Sequence, residues 1–371
     1  MSKYYLIAGE SSGDIHGANL VKEIAKQDSQ AIFRGFGGNQ MKTSGVEIIQ
    51  HFKDIAFMGF KEVALNLRTI TKAIKLCKSD ILKFAPDTII LIDYPGFNLR
   101  IAQFAQENNI QVMYYISPQI WAWKEKRIKK IKKYVNKMIC ILPFEKEFYA
   151  KYKFPVYYVG HPLIDHINSF SIDPDFNTKY NPKNQKLIAV LPGSRQQEIE
   201  KILPLIIEVC KKYADYKFLI AGSSNIDKQS YTKLDEIENA SLIFDNSYNI
   251  LKHADAGIIK SGTSTLEAAL FKLPFVVIYK TTGITYRISK ALIKIKYISL
   301  VNLILDKTVT KELIQSNLSI NTLSKELDLL MSDVKYRQNM LADFTLLKQE
   351  LGEMGASKRA AEIITSHMID N

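Results

Sequence analysis

The sequence predicts an α/β protein made of two doubly wound domains that face one another across a cleft. Three observations point there. Short apolar runs alternate with helix-spaced segments through the first half of the chain, and the alternation restarts in the second. The runs are continuously apolar, as in parallel strands buried on both faces. The chain has 371 residues, more than one hydrophobic core ordinarily serves.

Taken in order, Tyr4-Tyr5-Leu6-Ile7 reads as a buried first strand. The turn Ala8-Gly9-Glu10-Ser11-Ser12-Gly13-Asp14-Ile15-His16-Gly17 follows, and residues 18–24 have helical spacing. Apolar runs at 31–38, 88–93, 112–116, 138–142 and 156–160 complete an N-terminal domain over 1–168. Residues 169–185, rich in Ser, Asp, Asn and Pro, read as a linker. Runs at 187–191, 217–221, 241–244, 257–259 and 275–279 define a second domain over 186–345. From about residue 310 the pattern is helical, and 346–371 form a C-terminal helical segment that packs back on the N-terminal domain or on a partner chain. In doubly wound sheets ligands bind outside the carboxyl ends of the strands, so the cleft between the domains is the expected site.

Composition narrows the class. The formal net charge of +12 favours anionic partners: nucleic acid, phosphorylated substrates or an anionic membrane face. The cysteines Cys77, Cys140 and Cys210 are scattered, which fits a reducing cytoplasm and neither a disulfide framework nor a zinc site. The first apolar run is too short for a signal peptide, and no stretch approaches the roughly 18 apolar residues of a membrane span. Any membrane contact is therefore peripheral.

Four stretches carry candidate chemistry. In the first turn, Gly9, Gly13 and Gly17 let a ligand approach the chain, and the first helical N–H groups point at it. Helix capping by Ser12 and Asp14 is the plain alternative, but it leaves Glu10, Ser11 and His16 unexplained. Asp93 ends a strand in Ile92-Asp93-Tyr94-Pro95-Gly96-Phe97-Asn98, where it either accepts a proton from a substrate hydroxyl or satisfies its own turn. Pro192-Gly193-Ser194-Arg195 follows another strand; Arg195 suits a phosphate, or pairs with Glu198 or Glu200. In Lys260-Ser261-Gly262-Thr263-Ser264-Thr265-Leu266-Glu267, small hydroxyl residues at a helix start suit a diphosphate and Glu267 a ribose. A capping box from Thr263 or Ser264 to Glu267 is the alternative.

Two surfaces stand apart. Residues 124–137 hold eight basic residues and one acid directly after Trp121-Ala122-Trp123; with Ile128, Ile131 and Val135 on one face they read as a solvated basic helix. Phe57-Met58-Gly59-Phe60 leads into Val63, Leu67, Ile70 and Ile74 at helical spacing, either core or a membrane-surface face. His161, in Gly160-His161-Pro162, reads as a turn or hinge residue.

Eight blocks, in order and nearly end to end, resemble the lipid A disaccharide synthase family. They are the 8–14 turn, 92–98, Tyr115-Ile116-Ser117-Pro118-Gln119-Ile120-Trp121-Ala122-Trp123, Leu142-Pro143-Phe144-Glu145, Val159-Gly160-His161-Pro162, 191–195, 261–267 and Tyr297-Ile298-Ser299-Leu300-Val301-Asn302-Leu303. The resemblance implies two facing Rossmann-like domains of the glycosyltransferase B type. It implies a peripheral enzyme of the cytoplasmic face of a Gram-negative inner membrane. That enzyme joins UDP-2,3-diacylglucosamine to 2,3-diacylglucosamine 1-phosphate, giving the β-1,6 disaccharide phosphate and UDP with inversion. On the matching positions it implies Asp93, Glu10 and Asp14 as the catalytic carboxylates. Ser11, Ser12 and Gly13 fall on the acceptor side, and Asn98 is implied as a substrate- or UDP-binding residue. Gly193, Ser194, Arg195, Ser261, Gly262, Thr263, Ser264, Thr265, Glu267 and Asn302 fall on the UDP side.

No cofactor and no nucleic acid are implied, and a metal is not needed where positive groups and helix N-termini hold the diphosphate. Asp173-Pro174-Asp175 matches a metal-binding aspartate pair but lies in the linker. The expected partners are the two acylated sugars, the anionic inner-membrane surface and a second copy joined through the C-terminal region. Val301 replaces the family's usual Pro, and Lys260 replaces a small residue, either to contact phosphate or to point to solvent. The competing functions are another UDP-sugar transferase or epimerase of the same fold, and a non-catalytic basic protein that binds RNA or membrane surfaces.

Overall fold

The computed structural model describes residues 1–55, 66–224, 226–283, 286, 287, 290 and 295–369. The chain divides into two compact units, Met1–Asp165 with Leu351–Asn371, and His166–Glu350.

The first unit is a parallel sheet of seven strands among the described residues: β1 (Lys3–Ala8), β2 (Ile32–Gly37), β3 (Val46–His51), β4 (Thr88–Ile92), β5 (Gln111–Tyr115), β6 (Lys137–Cys140) and β7 (Tyr157–Tyr158). Their order across the sheet is β3-β2-β1-β4-β5-β6-β7. The strand order reverses between β1 and β4, which makes that junction the switch point where such sheets bind ligands. Tyr5, Leu6, Ile7 and Ala8, and Ile89 through Ile92, are fully buried, so helices cover both faces and the runs carry no polar alternation.

The second unit repeats this plan without detectable sequence repetition. Its strands are β8 (Lys186–Leu191), β9 (Tyr216–Gly222), β10 (Ala240–Phe244), β11 (Ala256–Lys260), β12 (Phe275–Tyr279) and β13 (Glu312–Ile314), ordered β10-β9-β8-β11-β12-β13 and parallel throughout. Its switch point lies between β8 and β11. The edge strand β13 falls where the sequence reads as helical; three residues paired at one edge are too short to show a period. Helices Ile320–Ser332 and Val334–Glu350 follow.

Two segments differ in role from their composition. Residues 169–185 include the helix Phe176–Tyr180, whose fully buried Phe176 ring stacks 4.9 Å from His253. Asn181 closes this segment by bonding the Gln185 carbonyl and N–H at 2.8 and 2.9 Å, and Asp173 accepts from Asp175 N within a turn. A polar stretch is thus pinned to the second unit by two aromatic anchors, Phe176 and Phe170, the latter 5.1 Å from the Tyr248 ring.

The last helix, Ala356–Ile369, returns to the first unit and packs on Ser11–Gln27, where Thr365 Oγ1 donates to Gln27 Oε1 at 2.6 Å. Its buried face is Ala356, Ala360, Ala361 and Ile364; small residues let the helices approach closely, and burying Ile364 contributes about 1.5–3 kcal/mol. Arg359 ties the return: its guanidinium donates to the carbonyls of Val159, Met354 and Glu353 at 2.7–2.9 Å.

Candidate active site

Strands β1 and β4 run in register to Ala8 opposite Ile92, so Gly9-Glu10 and Asp93-Tyr94 leave the sheet side by side. The chain there is strained. Asp93 (φ 43°), Tyr94 (φ 47°) and, at the end of the adjacent β5, Ile116 (φ 64°) all occupy the left-handed region. Non-glycine residues rarely do so, β-branched ones least of all, and such strain persists only where surrounding contacts overdetermine it. Those contacts are present. Asn98 Nδ2 donates to the carbonyls of Ile92 and Asp93 at 3.2 and 2.7 Å, and Tyr114 OH donates to the Asp93 carbonyl at 2.6 Å. Tyr94 OH reaches the Ile55 carbonyl at 2.7 Å while its ring lies over Gly9.

The Asp93 carboxyl is pushed up to about 7, first by burial and next by the charge of Glu10; the Tyr94 N–H and Arg127 pull the other way. A carboxylate near neutrality is matched to taking a proton from a hydroxyl. Glu10 precedes the helix Ser11–Gln27, and its Oε1 accepts from Ser12 Oγ at 2.6 Å. Ser11 and Ser12 are exposed at this edge.

Three of the features expected at this site have protein partners. Asp14, expected among the catalytic carboxylates, is buried and accepts from the backbone N–H groups of Gly38, Gln40 and Met41 at 2.7, 3.0 and 3.1 Å, capping the helix Asn39–Thr43. Asn98 is buried beneath the Asp93 turn and holds its backbone. Protein side chains lie against all three glycines. A Cβ at Gly9 would fall 2.2 Å from the Tyr94 ring, at Gly17 2.8 Å from Met41 Sδ, and at Gly13 3.3 Å from Ala8 Cβ. His161 is a buried turn residue, with Nδ1 accepting from Leu163 N at 3.2 Å; burial, then His16, pushes it down to about 3.

In the second unit, β8 and β11 are neighbours, with Leu191 opposite Ile259, and each feeds a helix. Helix Gln196–Lys212 begins after Pro192-Gly193-Ser194-Arg195, and helix Thr263–Leu270 after Ser261-Gly262. Both N-termini therefore open at the switch point, which suits an anion. Gly193 has φ +118° and sits against Glu198, so a side chain there would be strained and would strike the Glu198 carboxylate. Ser194, Arg195 and Thr263 are exposed. Ser261 Oγ donates to the Ile298 carbonyl at 2.7 Å, tying the turn to the following loop.

Here too the structure reassigns residues. Arg195 Nη1 lies 3.5 Å from Glu198, and Lys260, expected at phosphate or in solvent, forms an ion pair with the same carboxylate at 2.7 Å. Thr265 is buried and turns its hydroxyl onto the Gly262 carbonyl at 2.7 Å, within the protein. Glu267 makes no capping box; it accepts from Tyr248 OH at 3.2 Å, and burial pushes it up to about 7. Asn302, expected on the UDP side, is fully buried. Its Oδ1 accepts from Val309 and Thr310 N, and its Nδ2 donates to the Thr310 carbonyl and to Glu312, at 2.9–3.0 Å. Glu312, which has no sequence signal of its own, also takes the N–H groups of Ile298 and Ser299. Val301 is packed in the core, where the family's Pro would sit.

The first unit carries a carboxyl poised near neutrality at its switch point, and the second, taken by itself, carries two helix N-termini and a guanidinium that suit a diphosphate. With two parallel doubly wound units, the class is a glycosyltransferase of the B type. Solved proteins of this fold include the UDP-GlcNAc 2-epimerase from Neisseria meningitidis bound to UDP-GlcNAc (TM-score 0.68, 15% identity, 100% of both chains). A calicheamicin glycosyltransferase also shares it (TM-score 0.65, 14% identity, 99% of this chain and 98% of that one).

At that identity the likeness shows the fold alone; sequence gives the rest. The family model for lipid-A-disaccharide synthetase matches residues 4–364. The lipid-A-disaccharide synthase of Geobacter sulfurreducens is 35% identical over 97% of this chain and 95% of its own length. That of Coxiella burnetii (strain RSA 331) is 35% identical over 97% and 96%. The chain belongs to the lipid-A-disaccharide synthase family. It is a glycosyltransferase of lipid A biosynthesis that uses a UDP-sugar donor and a sugar-phosphate acceptor, and the epimerase and non-catalytic readings fall away.

Proposed function

We propose that Asp93 is the general base of an inverting transfer between two acylated glucosamines. The acceptor 6-hydroxyl of 2,3-diacylglucosamine 1-phosphate gives its proton to Asp93 as the oxygen attacks carbon 1 of UDP-2,3-diacylglucosamine. The bond from carbon 1 to the diphosphate oxygen breaks, and UDP leaves with that electron pair. Arg195, Ser194 and the turn at Ser261, Gly262, Thr263 and Ser264 take up the leaving charge at the two helix N-termini. Glu10, beside Asp93, raises its proton affinity, and Ser11 and Ser12 line the acceptor edge. The observation that carries the reading is the strained, half-buried Asp93, whose carboxyl is held at about 7. Incubating both substrates with the enzyme and with Asp93→Asn, and detecting UDP and disaccharide phosphate by mass spectrometry, tests it. Normal product from the variant moves the base to Glu10.

Both substrates carry acyl chains in this reading, so the enzyme works at the anionic cytoplasmic face of the inner membrane. Among the described residues no helix is long and apolar enough to cross a membrane, so docking is through a surface. Phe57, Phe60 and Val63 lie outside the described residues; Leu67 is exposed at the start of the helix Leu67–Phe84, whereas Ile70 is buried. The exposed Lys129, Lys130, Lys132 and Lys133, above buried Ile128 and Ile131, supply charge for anionic headgroups. A homodimer through the C-terminal region completes the proposal, and light scattering reads the mass directly.

A further inference from the structure

One residue of the 124–137 basic stretch does not behave as a solvated charge. Lys124 adopts a left-handed conformation (φ 57°), and the following turn closes with Arg127 N donating to the Lys124 carbonyl at 2.9 Å. Both cations then lie against Trp123: Lys124 Nζ is 4.2 Å and Arg127 Cζ 5.6 Å from the ring centroid. Lys124 is exposed, but Arg127 is half-buried. Burial lowers the proton affinity of the guanidinium, and its charge acts on Asp93 and Tyr114. Yet among the described residues it has no carboxylate within ion-pair distance and no side-chain hydrogen bond, Asp93 included. A guanidinium carries five donors, and with no carboxylate against them they stay open to an anionic ligand. The Trp123 ring braces the cation and supplies no acceptor in the donor plane.

The chemistry of the acceptor fits this gap. The molecule is one sugar ring with its nucleophilic hydroxyl on carbon 6 and its phosphate on carbon 1, on opposite sides of the ring oxygen. With the hydroxyl at Asp93, the phosphate lies one ring away. The loop that carries Arg127 leaves β5 beside the strand end that carries Asp93, Tyr115 being paired with Ile92, and the two side chains form no ion pair. We propose that Arg127, braced by Trp123 and Lys124, receives the acceptor's anomeric phosphate and thereby selects a phosphorylated monosaccharide as acceptor. This rests on the proposed role of Asp93.

The test compares 2,3-diacylglucosamine 1-phosphate with the same sugar lacking its phosphate, in detergent micelles, for wild type, Arg127→Met and Arg127→Lys. Arg127→Met is expected to raise KM for the phosphorylated acceptor at least about tenfold, the scale of a lost charged hydrogen bond, while UDP affinity by calorimetry stays unchanged. Its kcat/KM on the dephosphorylated sugar falls far less than on the phosphorylated one, so the preference collapses. Arg127→Lys, which keeps the charge and loses the fork, falls between. An unaltered preference overturns the proposal. So do equal losses on both acceptors, with or without a shifted pH profile, because Arg127 then acts on Asp93 or on the fold. If Arg127→Met melts early, the Arg127→Lys preference decides. The base reading fails separately, by turnover in Asp93→Asn with Arg127 intact.

Discussion

Lys260 Nζ lies 2.7 Å from Glu198 Oε1, and the side chains are only 17% and 11% exposed. Arg195 approaches the same oxygen at 3.5 Å, so one carboxylate organises both cations at the switch point of the second sheet. Burial lowers the Lys260 proton affinity while Glu198 raises it and Arg195 opposes. Removing one member leaves a buried charge unpaired, which costs about 3–5 kcal/mol, whereas neutralising both is far milder. Lys260→Met and Glu198→Gln are each expected to lower the urea midpoint sharply, and the double variant to recover most of the loss. A double variant as unstable as the singles would show that packing, not charge, dominates.

Asp93→Asn is expected to lower turnover by about two to four orders of magnitude, the scale of general-base catalysis, with UDP binding retained. Because the folded carboxyl titrates at about 7, kcat/KM should rise with pH through that value and level off above it. The stability effect has the opposite sign. With its folded pKa raised from 3.8 to about 7, Asp93 contributes stability that is present below pH 3.8 and lost as pH rises to about 7. The Asn variant escapes this loss, so it should melt at a higher temperature than wild type at pH 8 and show less advantage at pH 5.

Asp14→Ala separates structure from chemistry at the first turn. Three backbone N–H groups at Gly38, Gln40 and Met41 lose their acceptor. The expected result is destabilisation of about 1.5–3 kcal/mol by chemical denaturation, with kcat nearly unchanged below the melting temperature. Loss of turnover in a fully folded variant would return Asp14 to the reaction.

Arg195→Ala should weaken UDP binding by about 1.5–3 kcal/mol, measured by calorimetry, with little change in stability because the side chain is 56% exposed and its pair with Glu198 is loose. Unchanged UDP affinity would assign Arg195 to the acceptor or to the surface alone.

Membrane association should weaken in high salt and persist in part, since headgroup attraction is screened and apolar insertion is not. Replacing Leu67, 53% exposed, with Ser should lower vesicle co-sedimentation in high salt without lowering the melting temperature. A variant that unfolds instead would make Leu67 part of the core.

The sequence by itself determined the two parallel sheets, because strands buried on both faces are continuously apolar, as Ile89 to Ile92 are, and such runs alternate with helix-spaced segments through both halves. It also determined where chemistry could sit, since Glu10, Asp93, Arg195 and Ser261 each follow a strand end. Only the tertiary structure decided which of the polar residues there remain available. Asp14 closes a helix that begins at Asn39, Asn302 and Glu312 lock a loop, and Lys260 meets Glu198, all through partners distant in the chain. Arg127 looks like any residue of a basic helix until folding sets it half-buried against Trp123, with no carboxylate paired to it among the described residues. Periodicity is local and is written in neighbouring residues. Whether a charge is solvated, paired or left facing a substrate depends on what the fold brings against it.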